Sequence, residues 1–328
     1  MTETDRVNLL NWYRQNQRPL PWRKNRDPYR VWISETMLQQ TTTEAVKPYY
    51  EKFLKRFPTV EDLANSPIES VLEMWAGLGY YSRARNLHKA AQELAEKGFA
   101  RSYQKLIELP GFGPYTSRAV SSIAFGEEVG VLDGNVIRVL SRKNNLALEW
   151  WRPKERDILQ KKADEVVAGG PSHELNQALM ELGATICTPQ NPKCLLCPWL
   201  STCEGQKKQT HTLLPLKKPK AAGETWHWKA TVYTRQNRIY LVENTGAPFL
   251  KGQWLLPAEA KKVKTAPQKF TFKHGITRYD IYVSIEKKSQ ISAQHKKQQG
   301  RWVELEKLAQ ISPFSLMTKA LESIQIKK

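Results

Sequence analysis

The chain has 328 residues, enough for two domains with sizeable cores. Its 51 Lys and Arg against 32 Asp and Glu leave a formal net charge of +19, a surplus that points to a polyanion as partner. No apolar run is long enough to span a bilayer, and the stretch from Met1 to Leu10 is too polar for a cleavable signal; nucleic acid is therefore favoured over membrane, although charge alone does not choose DNA over RNA.

Up to about residue 205 the pattern is helical. Helical periods recur over Asp5–Asn16, Pro28–Lys55, Ser66–Trp75, Ser82–Lys97, Ser102–Leu109, Pro114–Phe125, Val136–Leu146, Lys154–Val167 and His173–Leu182, with short Pro-, Gly- or Asp-bearing loops between them. This predicts an all-α domain over residues 1–205. Residues 206–225, basic and with two prolines, read as an interdomain linker. Alternation then takes over at Trp226–Arg235, Arg238–Glu243, Lys269–Lys273, Tyr279–Ile285 and Gly300–Val303, and Pro313–Ile324 reads as a closing helix. Residues 226–328 are thus predicted to form an α+β domain.

The most informative helix begins at Asp27-Pro28. Aspartate caps a helix, and proline suits the first helical position, where no backbone N–H is needed. Val31, Met37 and Leu38 supply an apolar side; Glu35, Leu38, Gln39 and Thr42 share a neighbouring face. A glutamate among apolar residues resists ionising and suits a general acid near neutral pH. A surface glutamate paired with an arginine is the plainer reading.

Leu109-Pro110-Gly111-Phe112-Gly113-Pro114-Tyr115-Thr116 lies between two helical segments. Two glycines two apart permit a tight turn with outward N–H groups, and Pro114 opens the next helix, a combination suited to holding phosphate. The pattern is that of a helix-hairpin-helix, which grips a DNA backbone without reading its sequence. An ordinary helical corner is the alternative. Asp133 and Asn135 stand at the mouth of a later helix, either as caps or as a carboxylate facing the hairpin. With Glu35, Asp133 would make a pair of carboxylates, one protonated and one charged, as glycosidic cleavage requires.

All four cysteines fall in one run, Cys187-x6-Cys194-x2-Cys197-x5-Cys203. Such packing in an otherwise cysteine-free chain indicates metal or cluster ligands and a reducing compartment. The wide first gap leans towards [4Fe–4S] over zinc without deciding it.

These pieces, in this order, resemble the helix-hairpin-helix DNA glycosylases with an iron–sulfur loop, and most closely the adenine DNA glycosylases of the MutY type. The resemblance rests on Leu20–Arg23, Val31–Thr41, Gly77–Leu87, the hairpin, Leu132–Val136 and the four cysteines, and it spans the first 205 residues. It implies a two-lobed helical domain, residues 28–133 in one lobe and the N-terminal and cluster-bearing helices in the other, with a DNA-facing cleft between them. It implies a monomeric, cytoplasmic base-excision enzyme (nucleoid-associated if bacterial) that flips adenine opposite 8-oxoguanine or guanine out of double-stranded DNA and hydrolyses its glycosidic bond. Glu35 would protonate the base at N7, Asp133 would stabilise the oxocarbenium, Asn135 would orient the site and Tyr115 would line its sugar side. Arg18, Trp22, Arg23, Leu38 and Glu181 would form the adenine pocket. Gln40 and Tyr80 would wedge into the duplex, and Gly111, Gly113 and Thr116 would meet its backbone. Cys187, Cys194, Cys197 and Cys203 would hold the [4Fe–4S] cluster.

In the lyase relatives a lysine follows the hairpin and forms a Schiff base; here that place holds Tyr115, which cannot form an imine. The resemblance therefore favours a monofunctional glycosylase over a bifunctional endonuclease III-like pyrimidine glycosylase/lyase, and the presence of both Glu35 and Asp133 argues against a non-enzymatic DNA-binding protein. The C-terminal domain resembles a MutT/Nudix-like lesion-recognition domain through Phe249–Pro257, without the acidic metal-binding helix of Nudix hydrolases. Where the family reads the oxidised guanine with Phe-Ser-His, this chain has Ile276-Thr277-Arg278. Thr277 keeps a hydroxyl and Arg278 a donor, and the aromatic wedge is lost.

Overall fold

In the computed structural model, which describes residues 1–39, 41–219 and 221–325, the chain divides into two compact units, Met1–Lys218 and Pro219–Lys328. The first unit is helical: α1 (Glu3–Asn16), α2 (Pro28–Met37), α3 (Thr43–Arg56), α4 (Val60–Ala64), α5 (Ile68–Met74), α6 (Tyr81–Lys97), α7 (Tyr103–Leu106), α8 (Pro114–Phe125), α9 (Gly134–Lys143), α10 (Pro153–Val167), α11 (Ser172–Thr185) and α12 (Glu204–Lys207). The span expected to run from Pro28 to Lys55 is broken, because Leu38 ends α2 and Thr42, in extended backbone, starts α3. The break turns the chain at the C-terminal end of the Glu35 helix. Gln40 lies outside the described residues.

Two separate apolar cores form in this unit. One draws on residues 20–131, around Trp32, Phe53 and Trp75. The other joins Leu9 and Tyr13 of α1 to residues 132–199, around Val139, Leu179 and Trp199. Met180 packs against both.

The second core is tied together by a buried ion pair. Lys143 Nζ donates to Asp5 Oδ1 at 2.9 Å and to Thr202 O at 2.9 Å, with both charged side chains under a tenth exposed. Thr202 Oγ1 also donates to Asp5, at 2.6 Å. Burial alone would raise the Asp5 carboxyl; the bonds from Thr202 and Lys143 outweigh it and bring it down to about 2. Asp5→Ala leaves the ammonium buried without its partner and is expected to cost roughly 3–5 kcal/mol. Because the native carboxyl ionises more readily than the unfolded one, this contribution is present above about pH 4 and is lost as pH falls towards 2. Urea titrations of both proteins at pH 7 and pH 3 check it: the gap between them should shrink at the lower pH.

The first unit extends past the expected boundary at residue 205. Residues 206–218 are folded onto α9 and its following loop rather than forming a linker: Arg142 Nε donates to Leu214 O at 2.8 Å and Trp150 Nε1 to Leu216 O at 2.9 Å. At Gly205 a Cβ would stand 2.4 Å from Arg142 O, so the backbones meet where only glycine fits.

The second unit holds β1 (Glu224–Val232), β2 (Thr234–Arg235), β3 (Arg238–Glu243), β4 (Trp254–Leu255), β5 (Ala258–Val263), β6 (Phe272–Ile276), β7 (Tyr279–Lys287), α13 (Ala293–Lys296), β8 (Gly300–Glu304), α14 (Leu308–Ile311) and α15 (Ser315–Glu322). One sheet has the order β5-β1-β7-β6, with β1 and β7 parallel; the other runs β2-β3-β4, and β8 pairs with β3. The expected strand Trp226–Arg235 is two strands, because at the buried Tyr233 the chain passes from one sheet to the other. Trp228, Leu241, Phe249 and Val283 of the sheets and loops close a core with Leu316, Met317 and Leu321 of α15, giving an α+β unit. Among the described residues, no helix is long and apolar enough to cross a membrane.

Candidate active site

Asp27 Oδ1 accepts from Arg30 N at 2.9 Å and caps α2, which carries Glu35 into the interior between the two cores. Glu35 is 5% exposed. Tyr115, in the first turn of α8, donates its hydroxyl to Glu35 Oε2 and lies 3.7 Å from Met180 Sδ. Trp32 on α2 stacks on Phe112 of the hairpin at 5.2 Å between ring centroids, which fixes the hairpin and therefore Tyr115 against the Glu35 helix. Burial pushes the Glu35 carboxyl up to about 7, against the Tyr115 bond that pulls it down; the neighbouring Asp133 adds to the rise. Burial raises the Tyr115 hydroxyl well above its ordinary range, so it acts as a neutral donor.

Asp133 caps α9, with Oδ1 accepting from Val136 N at 2.7 Å and Oδ2 from Asn135 Nδ2 at 2.9 Å. Burial raises this carboxyl too, and these donors draw it back. Asn135 Oδ1 accepts from Arg138 at 2.8 Å, and Arg138 Nε donates to Cys187 O at 2.7 Å. A hydrogen-bonded path thus joins Asp133 to the backbone of the first cysteine. Gly183 makes room for it: a Cβ there would meet Asn135 Cβ at 2.6 Å.

Glu35, Tyr115, Asp133 and Asn135 share a cavity of about 480 Å³ with Arg18, Trp22, Arg23, Leu38 and Glu181, a size typical of small-molecule sites. The side chain of Glu181 is fully buried and accepts from Arg18 at 2.7 and 2.9 Å and from Arg23 at 2.8 Å. Burial opposes its ionisation, but the two guanidiniums prevail and hold it below the usual carboxylate range. Trp22 serves both cavity and core, packing edge-on against Tyr50 at 5.4 Å.

A second, more open cavity adjoins the first through Leu38, Tyr115 and Asp133 and is bordered by Gly111, Gly113 and Thr116 of the hairpin. Gly111 has φ +79°, which favours glycine, whereas Gly113 has ordinary extended backbone and its missing Cβ would project into open space. Thr116 is 1% exposed and its hydroxyl accepts from Gln39 Nε2 at 3.1 Å, so its side chain ties the hairpin to the turn that follows α2 instead of facing solvent. Tyr80 is 51% exposed in left-handed backbone at φ 49°, with the Arg83 guanidinium 5.1 Å from its ring centroid.

The four cysteines line one cavity, and Arg142 Nη1 stands 3.5 Å from Cys187 Sγ. Among the described residues, no three His, Cys, Asp or Glu side chains converge closely enough to hold a single metal ion. In the second unit, Thr277 and Arg278 form the exposed turn between β6 and β7. Thr277 has φ 51° and donates to its own chain at Ile276 O; Arg278 pairs with Glu224 at 3.1 Å.

The sequence model of the HhH-GPD superfamily base excision DNA repair proteins matches residues 33–167. An adenine DNA glycosylase of Buchnera aphidicola subsp. Baizongia pistaciae (strain Bp) is 35% identical over 295 residues, 84% of this chain and 83% of that relative. The chain belongs to the adenine DNA glycosylase family. The human adenine DNA glycosylase is 42% identical over 217 residues, 62% of this chain and 39% of its own length. Among solved structures, that of a thermostable thymine-DNA glycosylase superposes with a TM-score of 0.57 at 30% identity, covering 63% of this chain and 98% of that one.

Gln39, which the spacing puts on the Glu35 face without a role, and Arg156, which nothing in the sequence marks, are both brought to the site in this member of the adenine DNA glycosylase family. Gln39 holds the hairpin, and its own carbonyl accepts from Arg83 at 2.6 Å. Arg156, from α10, borders the open cavity and donates to Leu132 O at 3.2 Å. Nothing in the spacing of Arg156 marks it out; only the packing of α10 against α9 brings it there.

Proposed function

We propose that this chain is a monofunctional base-excision enzyme that hydrolyses the glycosidic bond of adenine mispaired with 8-oxoguanine or guanine in duplex DNA. The observation that carries the proposal is the buried Glu35, held near pKa 7 beside Tyr115 and in one cavity with Asp133. Adenine turned out of the stack enters the pocket of Arg18, Trp22, Arg23, Leu38 and Glu181. Glu35 gives its proton to N7, the glycosidic electron pair leaves with the base, which departs neutral, and water then adds to the sugar carbon and returns a proton to Glu35. Asp133, whose oxygens accept from Val136 N–H and the Asn135 amide, serves as the ionised partner and faces the positive charge that develops on the sugar. Tyr115 keeps Glu35 in place and presents no amine for imine formation.

The hairpin with Gly111 and Gly113 and the N-terminus of α8 offer backbone N–H groups to phosphate. Exposed Tyr80 suits a wedge at the gap that a flipped base leaves. Four cysteines that line one cavity without converging on a point suit a [4Fe–4S] cluster, in which each thiolate holds a different iron, better than zinc, whose tetrahedral thiolates stand about 3.8 Å apart. Cys187, Cys194, Cys197 and Cys203 would hold the cluster, and the loop between them would be ordered by that ligation. The second unit, read as a MutT-like domain, would meet the opposite base with the Thr277-Arg278 turn; a β-branched residue at positive φ is strained, and strain of this kind gathers at binding loops. The enzyme would work as a monomer in the cytoplasm, at the nucleoid if its source is bacterial.

Single-turnover adenine release from duplexes carrying A opposite 8-oxoguanine, G, C or T tests the proposal. Release opposite 8-oxoguanine and G, with no covalent adduct when borohydride is added, is the expected result. A strong borohydride-trapped adduct would instead favour the bifunctional lyase. Equal rates opposite 8-oxoguanine and G would mean that the Thr277-Arg278 turn does not read the lesion.

A further inference from the structure

The segment that follows the last cysteine carries two buried polar atoms with no hydrogen-bond partner among the described residues, His211 Nδ1 and Gln206 Oε1. Both side chains border the cavity of the four cysteines. Buried polar atoms are nearly always paired, so two orphans on side chains that border one cavity point to an occupant with complementary atoms.

The segment is built into place. Gly205 O accepts from Thr210 N at 2.9 Å and from His211 N at 3.1 Å, and Thr210 Oγ1 donates to Asn145 Oδ1 at 2.6 Å. Beyond His211, Leu214 is held by Arg142. His211 is therefore pinned from both sides.

We propose that His211 and Gln206 form a polar lid on the iron–sulfur cluster, donating hydrogen bonds to its sulfur atoms and thereby retaining it. The proposal rests on the cluster reading above. A neutral imidazole carries its proton on one nitrogen, and with that proton on Nδ1 the ring donates into the cavity. Half a turn of the Gln206 amide exchanges Oε1 for the –NH2 group, a second donor at the same place. Arg142, 3.5 Å from Cys187 Sγ, is a third. Clusters carry negative charge on sulfur, and N–H groups directed at it belong to the outer shell that fixes affinity and potential.

The experiment uses the full chain purified without oxygen, with iron, zinc and acid-labile sulfide measured first. Zinc, or no iron, in the wild-type protein would refute the cluster reading and the lid with it, before any variant is made. With the cluster present, His211→Phe keeps a planar ring and removes the donor. Loss of iron to excess ferrous chelator should then quicken about 10-fold or more, and the Fe–S stretching bands in resonance Raman spectra should shift; His211→Gln, which restores an N–H, should recover part of both. If His211→Phe cannot be isolated with its cluster, Gln206→Leu and His211→Gln carry the same measurements. Iron loss and Raman bands unchanged from wild type in a fully loaded variant would overturn the proposal.

Discussion

Glu35→Gln is expected to lower the rate of adenine release by about 10²- to 10⁴-fold, the range supplied by general acid catalysis, while leaving duplex binding close to wild type. Glutamine has the same shape and can still accept from Tyr115, so the pocket is retained and only the transferable proton is lost. In the wild-type enzyme that proton is present below the folded pKa of about 7, so the single-turnover rate should be level in mild acid and fall above neutrality. Stability makes a second, independent readout. A buried carboxyl with a raised pKa favours the native state most below its unfolded pKa near 4.5, and that contribution drains away as pH rises towards 7. The glutamine amide does not titrate and carries no such penalty. The melting temperature of the variant relative to wild type should therefore climb between pH 5 and pH 8. A variant that loses activity and DNA binding together, with no such pH trend, would make Glu35 an ordinary structural residue, as a surface ion pair would.

How far the sequence by itself reached can be judged from the same residues. The Asp27-Pro28 cap is a local feature, written in adjacent residues; the burial of Glu35 is not, because α2 is buried from Val31 to Met37 on every side, and spacing alone left a surface ion pair open. The bond from Tyr115 joins residues 80 apart, and no spacing rule reveals it. The same holds for Glu181 with Arg18, a pair 163 residues apart. Resemblance to a family supplied those residues as a set; the geometry now gives each a partner. The error at residues 206–218 has a definite physical origin. Lysines and prolines give a linker's composition, but the segment is held through its own carbonyls at Leu214 and Leu216. Every residue offers a carbonyl acceptor, so such anchoring leaves no trace in side-chain pattern. β5 was hidden for a different reason: it lies at the end of its sheet, where charged residues such as Lys261 and Lys262 protect an edge and mask alternation. Gly113 was legible as a glycine but not as to why. Its backbone needs no glycine, and its open flank suits approach by a ligand.

Asp133→Asn separates the two readings of the second carboxylate. Asparagine is as good an N-cap as aspartate, so Val136 N–H keeps an acceptor and α9 should lose no more than about 1 kcal/mol. If capping were the whole role of Asp133, adenine release would be nearly unchanged. If its charge faces the sugar, release should fall by at least about 10²-fold, the cost of removing one preorganised electrostatic partner. The neighbouring bonds sharpen the expectation. In the variant, an amide oxygen turned to Val136 N–H points the new –NH2 at the side chain of Asn135, which now donates at 2.9 Å. Two donors then face each other, unless Asn135 turns and gives up its 2.8 Å bond from Arg138. Thus a rate loss could in principle come from a displaced Asn135 alone. Duplexes that carry a cationic pyrrolidine or a neutral tetrahydrofuran in place of the target sugar distinguish the causes. Wild type should bind the cation more tightly through Asp133, and Asp133→Asn should lose that preference while binding the neutral analogue normally. Weakened binding of both analogues to the same extent would place the damage in the geometry around Asn135 and leave Asp133 as its support.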